Sequence, residues 1–139
     1  MLTGTLTFLA TAFLVSATFI IGPELEDRIN PVYENLTTKI VAVTDAHTDL
    51  LITGKKMRAC ALAGLGANVK IGKTEFRGVV TFVESDRSPL TLPQLATGDT
   101  FVRLVRVRPA GDAIKLLVDN ACHPFWVTRT VIDLTNTVR

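Results

Sequence analysis

Hydrophobic residues dominate the first 22 positions of the chain, and no Asp, Glu, Lys, Arg or His lies among the first 23. The run Leu2–Ile21 contains 20 residues, which as an α-helix would extend about 30 Å, the thickness of a bilayer core. Gly22 and Pro23 follow, and proline lacks the amide donor that a continuing helix needs. We therefore predict a transmembrane anchor over residues 1–22, with a short separate helix Glu24–Ile29 beyond it.

Two alternatives to a membrane anchor remain open. Val15-Ser16-Ala17 has the small residues that a signal peptidase needs, but no Lys or Arg precedes the apolar run, and the run continues through Phe19-Ile20-Ile21. An anchor and a cleaved secretory signal would each place the rest of the chain across a membrane. A buried core helix of a soluble protein would usually show polar breaks on one side, whereas only hydroxyl side chains interrupt this run.

Small and hydroxylated residues share one face of the predicted helix. Membrane helices pack on such faces, so we expect a protein partner or a homo-oligomer here, in addition to the lipid bilayer. The alternative is that each hydroxyl only bonds a carbonyl of the preceding turn. The face is defined by Thr3, Thr7, Thr11 and Thr18.

β-Prone residues alternate with polar ones through the rest of the chain. The clearest pattern is Thr74–Glu84, which pairs back with Asn68–Ile71 across the turn Gly72-Lys73. Gly54-Lys55 and Pro109-Ala110-Gly111-Asp112 indicate further turns. We predict a mainly β head over residues 38–139, a small antiparallel β-sandwich or Greek-key domain. Its other predicted strands are Lys39–Thr44, Asp49–Thr53, Lys56–Leu62, Phe101–Arg108, Ile114–Val118 and Phe125–Leu134.

The strand Phe101–Arg108 carries a phase slip and three basic residues. Val102 and Leu104 are even-numbered whereas Val105 and Val107 are odd-numbered, so we expect a β-bulge near Leu104 and Val105. Its arginines form a basic stripe, which in most proteins is only a solvated face. We retain them as candidate binding residues for an anionic partner: Arg103, Arg106 and Arg108.

Charge divides the chain into an acidic and a basic segment. Between Pro23 and Leu50 there are six acidic and two basic residues, which give a net charge of −4. We interpret residues 23–37 as an acidic juxtamembrane neck. From Leu51 to Arg139 the net charge is +6. The absence of a recognition motif and of aromatic residues among the basic ones argues against nucleic acid as the partner. Since only Arg28 lies among the acids after the anchor, the positive-inside rule favours a cytoplasmic N-terminus.

Cys60 and Cys122 are the only cysteines. An even number on the translocated side of a membrane suggests a disulfide, which would close a loop of about 60 residues and contribute roughly 4 kcal/mol. We expect it to staple two sheets together, with Trp126 packed nearby as a core aromatic. Two reduced, buried thiols are the alternative if the head faces the cytosol. With His47 and His123 the cysteines supply four possible zinc ligands, but no closely spaced pair of ligands is present, so we predict no metal and no cofactor.

Two short patches carry a resemblance to known proteins. They are Gly54–Cys60, with the pattern K-x-R-x-C, and Asn120–Thr130, with C-H-P-F-W-x-T-x-T. Together with the hydrophobic N-terminus they resemble small uncharacterised phage and prophage proteins. The resemblance implies a bacterial or phage setting, a chain that crosses the membrane once, and a bridge between Cys60 and Cys122. It implies no activity.

No catalytic motif is visible. Patterns such as G-x-G-x-x-G, G-x-S-x-G and H-E-x-x-H are absent, and the carboxylates show no paired spacing typical of acid–base catalysis. We predict a non-enzymatic, membrane-anchored structural or interaction module, such as a subunit of a membrane-associated or virion assembly. The alternative is a ligand-binding or receptor-type module that uses the basic stripe and the loop Ser85–Thr100, because a loop of this length is uncommon unless it binds something or is disordered.

Overall fold

The computed structural model describes residues 2–83 and 95–134, with side chains from residue 7 onward. The prediction of a mainly β fold behind an N-terminal apolar helix is confirmed. In the described ranges one helix is followed by seven strands: α1 Leu2–Ile29, β1 Tyr33–Val43, β2 Thr48–Lys56, β3 Ala61–Ile71, β4 Thr74–Phe82, β5 Thr100–Arg108, β6 Ala113–Ala121 and β7 Thr128–Asp133.

Helix α1 continues without a break through Gly22 and Pro23, so the prediction that it stops there is wrong. A proline inside a helix costs about 3 kcal/mol or more, and contacts made by the residues beyond it must offset that loss. The end of α1 packs against β7, where the Thr128 hydroxyl donates to Glu26. Within the segment 23–37, the first part continues the helix and the last part lies in β1.

The strands form one antiparallel sheet in the order β1-β2-β5-β4-β3-β6-β7. The partial order β2-β5-β4-β3 places β2 beside the last strand of a three-strand meander, which is a Greek-key connection. β4 joins the two halves of the sheet, because residues 74–78 pair with β3 and residues 79–82 pair with β5. The predicted hairpin is confirmed: Ile71 pairs with Thr74, and Gly72 has a φ of 61°, which glycine adopts without strain.

The sheet curls so that its two halves share one core. The Tyr33 hydroxyl on β1 donates to Asn120 Oδ1 on β6 at 2.8 Å, although four strands separate β1 from β6 in the sheet order. Burial raises the pKa of Tyr33 to about 12, so the hydroxyl keeps the proton that it donates. The core consists of Leu50, Ile52, Ala67, Val69, Val80, Phe82, Val105, Val107, Ile114, Leu116, Val118 and Leu134.

Some local predictions for the head are wrong. Gly54-Lys55 is not a turn but lies inside β2, where Gly54 pairs with Phe101. The segment Lys56–Leu62 is not a strand, since β3 begins at Ala61. β5 pairs with β2 in an unbroken register, so the bulge expected there is absent. Register shifts lie instead in the edge strand β1 and near the start of β3, and a bulged edge is a poor template for a further strand.

Candidate functional site

Glu26, near the end of α1, joins the helix to the head through both carboxylate oxygens. Its Oε1 accepts a hydrogen bond from Arg58 Nη2 at 2.8 Å, and its Oε2 accepts one from Trp126 Nε1 at 2.8 Å and one from Thr128 Oγ1 at 2.9 Å. Arg58 Nη1 also donates to the Asn30 carbonyl oxygen at 3.1 Å, just past the helix end, where basic side chains commonly satisfy unbonded carbonyls. We call these five residues the junction.

The loop 122–127, which leads from β6 to β7, packs against the apolar part of α1. The Trp126 ring meets Phe19 edge-on, with 6.0 Å between the ring centroids. His123 stacks on Trp126 with 4.4 Å between centroids. Phe125 is 71% exposed. Trp126 therefore lies against the helix rather than in the core of the head, and the loop presents a second, exposed aromatic residue beside it.

Cys60 and Cys122 form the predicted disulfide, with 4.6 Å between their Cα atoms. Cys60 immediately precedes β3 and Cys122 immediately follows β6, and these two neighbouring strands are paired from Ala61 and Ala121 onward. The bridge therefore ties adjacent strands where they end, and the expectation of a staple between two sheets is wrong. It also holds together the two segments that contribute Arg58 and Trp126 to the junction.

The three arginines predicted as a basic stripe do not share a face. Arg103 lies on the inner face of the sheet, in phase with the buried valines of β5, whereas Arg106 and Arg108 alternate with them on the outer face. Arg106 donates from Nε and Nη2 to the two carboxylate oxygens of Asp49, each at 2.8 Å. These bonds hold the pKa of Asp49 below its usual value. One arginine thus faces the interior, one is paired, and one is exposed.

The inner face of the curled sheet encloses a partly open cavity of about 80 Å³. Most of its lining is aliphatic or aromatic, including Tyr33, Leu36, Leu62, Leu65, Phe101 and Ile132. Two cationic side chains, Lys56 and Arg103, also line it. The sheet therefore combines an apolar interior space with positive charge.

Lys56 is only 3% exposed. Its Nζ donates to the Leu95 carbonyl oxygen at 2.7 Å, and its backbone groups bond those of Gly98 and Asp99. Burial lowers the pKa of the ammonium, and attraction to Asp99 offsets part of that effect. Sequence reasoning missed the burial of Lys56 because it assigned Gly54-Lys55 to a turn. Only a strand that continues through residue 56 places Lys56 on the same face as the inward-facing Ile52.

Other predicted features are placed only in part. The loop Ser85–Thr100 lies mostly outside the described residues, as does the side chain of Thr3. The hydroxyls of Thr11 and Thr18 donate to backbone carbonyls one turn earlier, at 2.9 and 2.8 Å, so the use of the threonine face for packing stays a prediction. Within residues 2–83 and 95–134 no group of three or more His, Cys, Asp or Glu is placed to hold a metal ion.

Comparison of the chain with protein-family models, with curated protein sequences and with solved structures finds no significant match.

Proposed function

We propose that this chain is a single-pass membrane protein with a cytoplasmic N-terminus and an extracytoplasmic head. Within the helix segment Thr7–Ile29, the most apolar window of 18 residues has a mean hydropathy of 1.7, and none of that window is buried. Phe8, Phe13 and Ile20 are 73%, 73% and 77% exposed, and transfer of such side chains out of water is favourable by about 1.5–3 kcal/mol each. The disulfide suits an oxidising compartment, which supports the proposed side of the head.

In that setting we propose a non-enzymatic structural or interaction module, such as a subunit of a membrane-associated or virion assembly. The observation that carries this proposal is the junction, where three hydrogen bonds converge on Glu26. Only residues 30–32 separate α1 from β1, so no long linker lets the head turn. A β domain held in one orientation at a membrane is suited to presenting a fixed face to a partner.

The same contacts set the depth of the head in the proposed arrangement. The apolar run of the helix ends just before Gly22, and Phe19 lies three residues, roughly 4.5 Å along the helix axis, before that end. Trp126 contacts Phe19. Loop 122–127 would then lie at the membrane interface rather than above it. Tryptophan favours that depth because its ring is apolar and its N–H is polar, and the exposed Phe125 would enter the boundary of the acyl region.

Trp126 is the only tryptophan, which makes this placement directly measurable. We expect its fluorescence in vesicles of the full-length protein to be quenched by lipids brominated near the headgroup, and only weakly by aqueous iodide. A matched control is Trp126→Phe combined with Phe76→Trp, which moves the fluorophore to a 46% exposed position on β4. The control should show the reverse preference. Strong iodide quenching of Trp126 without quenching by brominated lipid would contradict the interfacial position.

Association with partners is tested by purifying the full-length protein in mild detergent and identifying what accompanies it. We expect a homo-oligomer or a protein partner whose recovery falls in Thr11→Leu/Thr18→Leu. Ser16→Leu, about 140° around the helix from Thr11, is the matched control. Recovery of a lone monomer, or enzymatic turnover by the purified protein, would count against the module.

The side of the head is tested by alkylating the membrane-bound protein without reductant, followed by mass spectrometry. Two alkylated thiols would contradict an extracytoplasmic head. The alternative function, a receptor-type module with a basic stripe, has less support because its arginines occupy two faces of β5.

A further inference from the structure

The inner cavity carries positive charge that no ion pair among the described residues neutralises, and the attraction of Asp99 only partly offsets the burial of Lys56. Lys56 and Arg103 line it, and neither forms an ion pair within the described part of the chain. The part-buried arginines elsewhere in the head are all paired: Arg58 with Glu26, Arg106 with Asp49, and Arg129 with Asp119. Because a cation among apolar groups is costly without a counter-charge, the cavity favours an anionic guest.

Strand register separates the two cations and assigns them different roles. Ile52 pairs with Arg103, so Lys56 lies four residues farther along β2, about 13 Å away. The Lys56 ammonium already donates to the Leu95 carbonyl oxygen. The Arg103 guanidinium forms no hydrogen bond within the described residues, and its planar fork fits a carboxylate with two parallel bonds. Arg103 is therefore the cation of this cavity that has bonds to offer an anion, whereas Lys56 contributes only a favourable potential.

Size restricts the apolar part of the guest. The cavity volume of about 80 Å³ is smaller than the roughly 150 Å³ of an apolar cavity that accepts benzene. A two-chain lipid does not fit in such a space. The end of one acyl chain does, with the remainder of the chain lying toward the open side.

We propose that this cavity binds a single-chain carboxylate of the fatty-acid type, with its chain against Leu36, Leu65 and Phe101 and its carboxylate on the Arg103 guanidinium. This site goes beyond the proposed function. It does not depend on which side of a membrane the head occupies.

The test uses the full-length protein in lipid nanodiscs, titrated with octanoate and, separately, with the neutral analogue 1-octanol. Empty nanodiscs supply the correction for partition into lipid, and carboxyl-labelled octanoate allows binding to be followed by its carbon resonance. We expect one octanoate per chain and at least tenfold weaker binding of octanol. Arg103→Gln should weaken octanoate binding at least tenfold, because a hydrogen-bonded charge pair corresponds to a factor of ten or more.

Two further variants make the result decisive. Arg108→Gln removes an equal charge from the outer face of the same strand and should leave octanoate binding unchanged. Leu65→Phe narrows the cavity but retains Arg103, so it should also abolish binding even if Arg103→Gln does not fold. An intact disulfide and an unchanged thermal midpoint establish that each variant is folded. Equal affinity for octanoate and octanol, equal effects of Arg103→Gln and Arg108→Gln, or binding that survives Leu65→Phe in the folded protein would overturn the proposal.

Discussion

Removal of the Glu26 carboxylate is expected to detach the end of α1 from the head. Glu26→Ala deletes the acceptor of three hydrogen bonds and leaves Arg58, Trp126 and Thr128 with unsatisfied donors. It also deletes the partner of the Arg58 ion pair. The effect should therefore exceed that of an ordinary surface carboxylate.

The magnitude follows from the number of bonds and from their exposure. A hydrogen bond to a charged group contributes about 1.5–3 kcal/mol, and three such bonds give an upper bound of about 4.5–9 kcal/mol. The Glu26 and Arg58 side chains retain 20% and 21% exposure, so water replaces part of what is lost, and the bonds share one acceptor and are not additive. We expect a loss of about 2–4 kcal/mol, or a thermal midpoint lower by about 10–25 °C for a domain of this size.

Trp126 reports on this change directly, because its indole N–H donates to Glu26. Thermal and urea unfolding of the full-length protein in detergent, followed by tryptophan fluorescence, gives the stability. Glu26→Gln keeps the size of the side chain and one amide oxygen but removes the charge, so it should lie between the wild type and Glu26→Ala.

Glu24→Ala is the matched control, since Glu24 belongs to the same helix and is exposed. It should change the free energy of unfolding by less than about 0.5 kcal/mol. Equal losses for Glu24→Ala and Glu26→Ala would show that the general acidity of the segment, and not the junction, stabilises the protein. An unchanged fluorescence spectrum in Glu26→Ala would show that Trp126 is held by other contacts.

Three further changes test the head. Reduction of the Cys60–Cys122 bridge, or replacement of both cysteines by Ala, should lower stability by roughly 4 kcal/mol for a sequence separation of 62 residues, measured by urea unfolding with and without reductant. Because Arg106 holds the pKa of Asp49 below 3.8, the pair stabilises the fold above that pH, and this contribution is lost as the pH falls through the folded-state pKa. Asp49→Asn should therefore lower the thermal midpoint at neutral pH and flatten its decline in acid; an acid profile parallel to that of the wild type would contradict the assignment. Gly111→Ala would bring a Cβ to 2.7 Å from the Lys70 carbonyl oxygen and should cost about 1–3 kcal/mol. Gly66→Ala, with nothing within 4 Å of the added Cβ, should instead leave stability unchanged or raise it by up to about 1 kcal/mol, because glycine weakens the interior of a strand; similar urea midpoints for the two variants would refute the packing argument.

The hydrophobic pattern was sufficient to predict the elements that depend on residues close together in the sequence. The apolar run predicted the helix, and alternation around Gly72-Lys73 predicted a hairpin that the structure contains. The end of the helix could not be predicted in this way. Pro23 opposes helix locally, and the contacts that outweigh it come from Arg58 and Thr128, which are distant in sequence.

Charged residues on the inner face explain the errors in strand phase. Arg103 faces inward, so its strand appears to change phase at Leu104 although its register is unbroken. Lys56 faces inward for the same reason, at the end of a strand that contains Gly54. Rules of alternation assign charge to the solvent side, and they fail where an interior accommodates cations. The cysteine pair was predictable by count, but its position at the adjoining ends of neighbouring strands depends on the strand order, which the hydrophobic pattern alone does not determine.

The two contacts between α1 and the head fix which side of the helix faces the head. Phe19 and Glu26 are seven residues apart, two helical turns, and both meet the head, so one side of the helix is permanently occupied. Thr11 and Thr18 lie about 80–100° around the axis from Phe19. In an oligomer whose helices met through the threonine side, each head would therefore lie to one side of the line from its helix to the central axis. All the heads would be displaced in the same rotational direction about that axis.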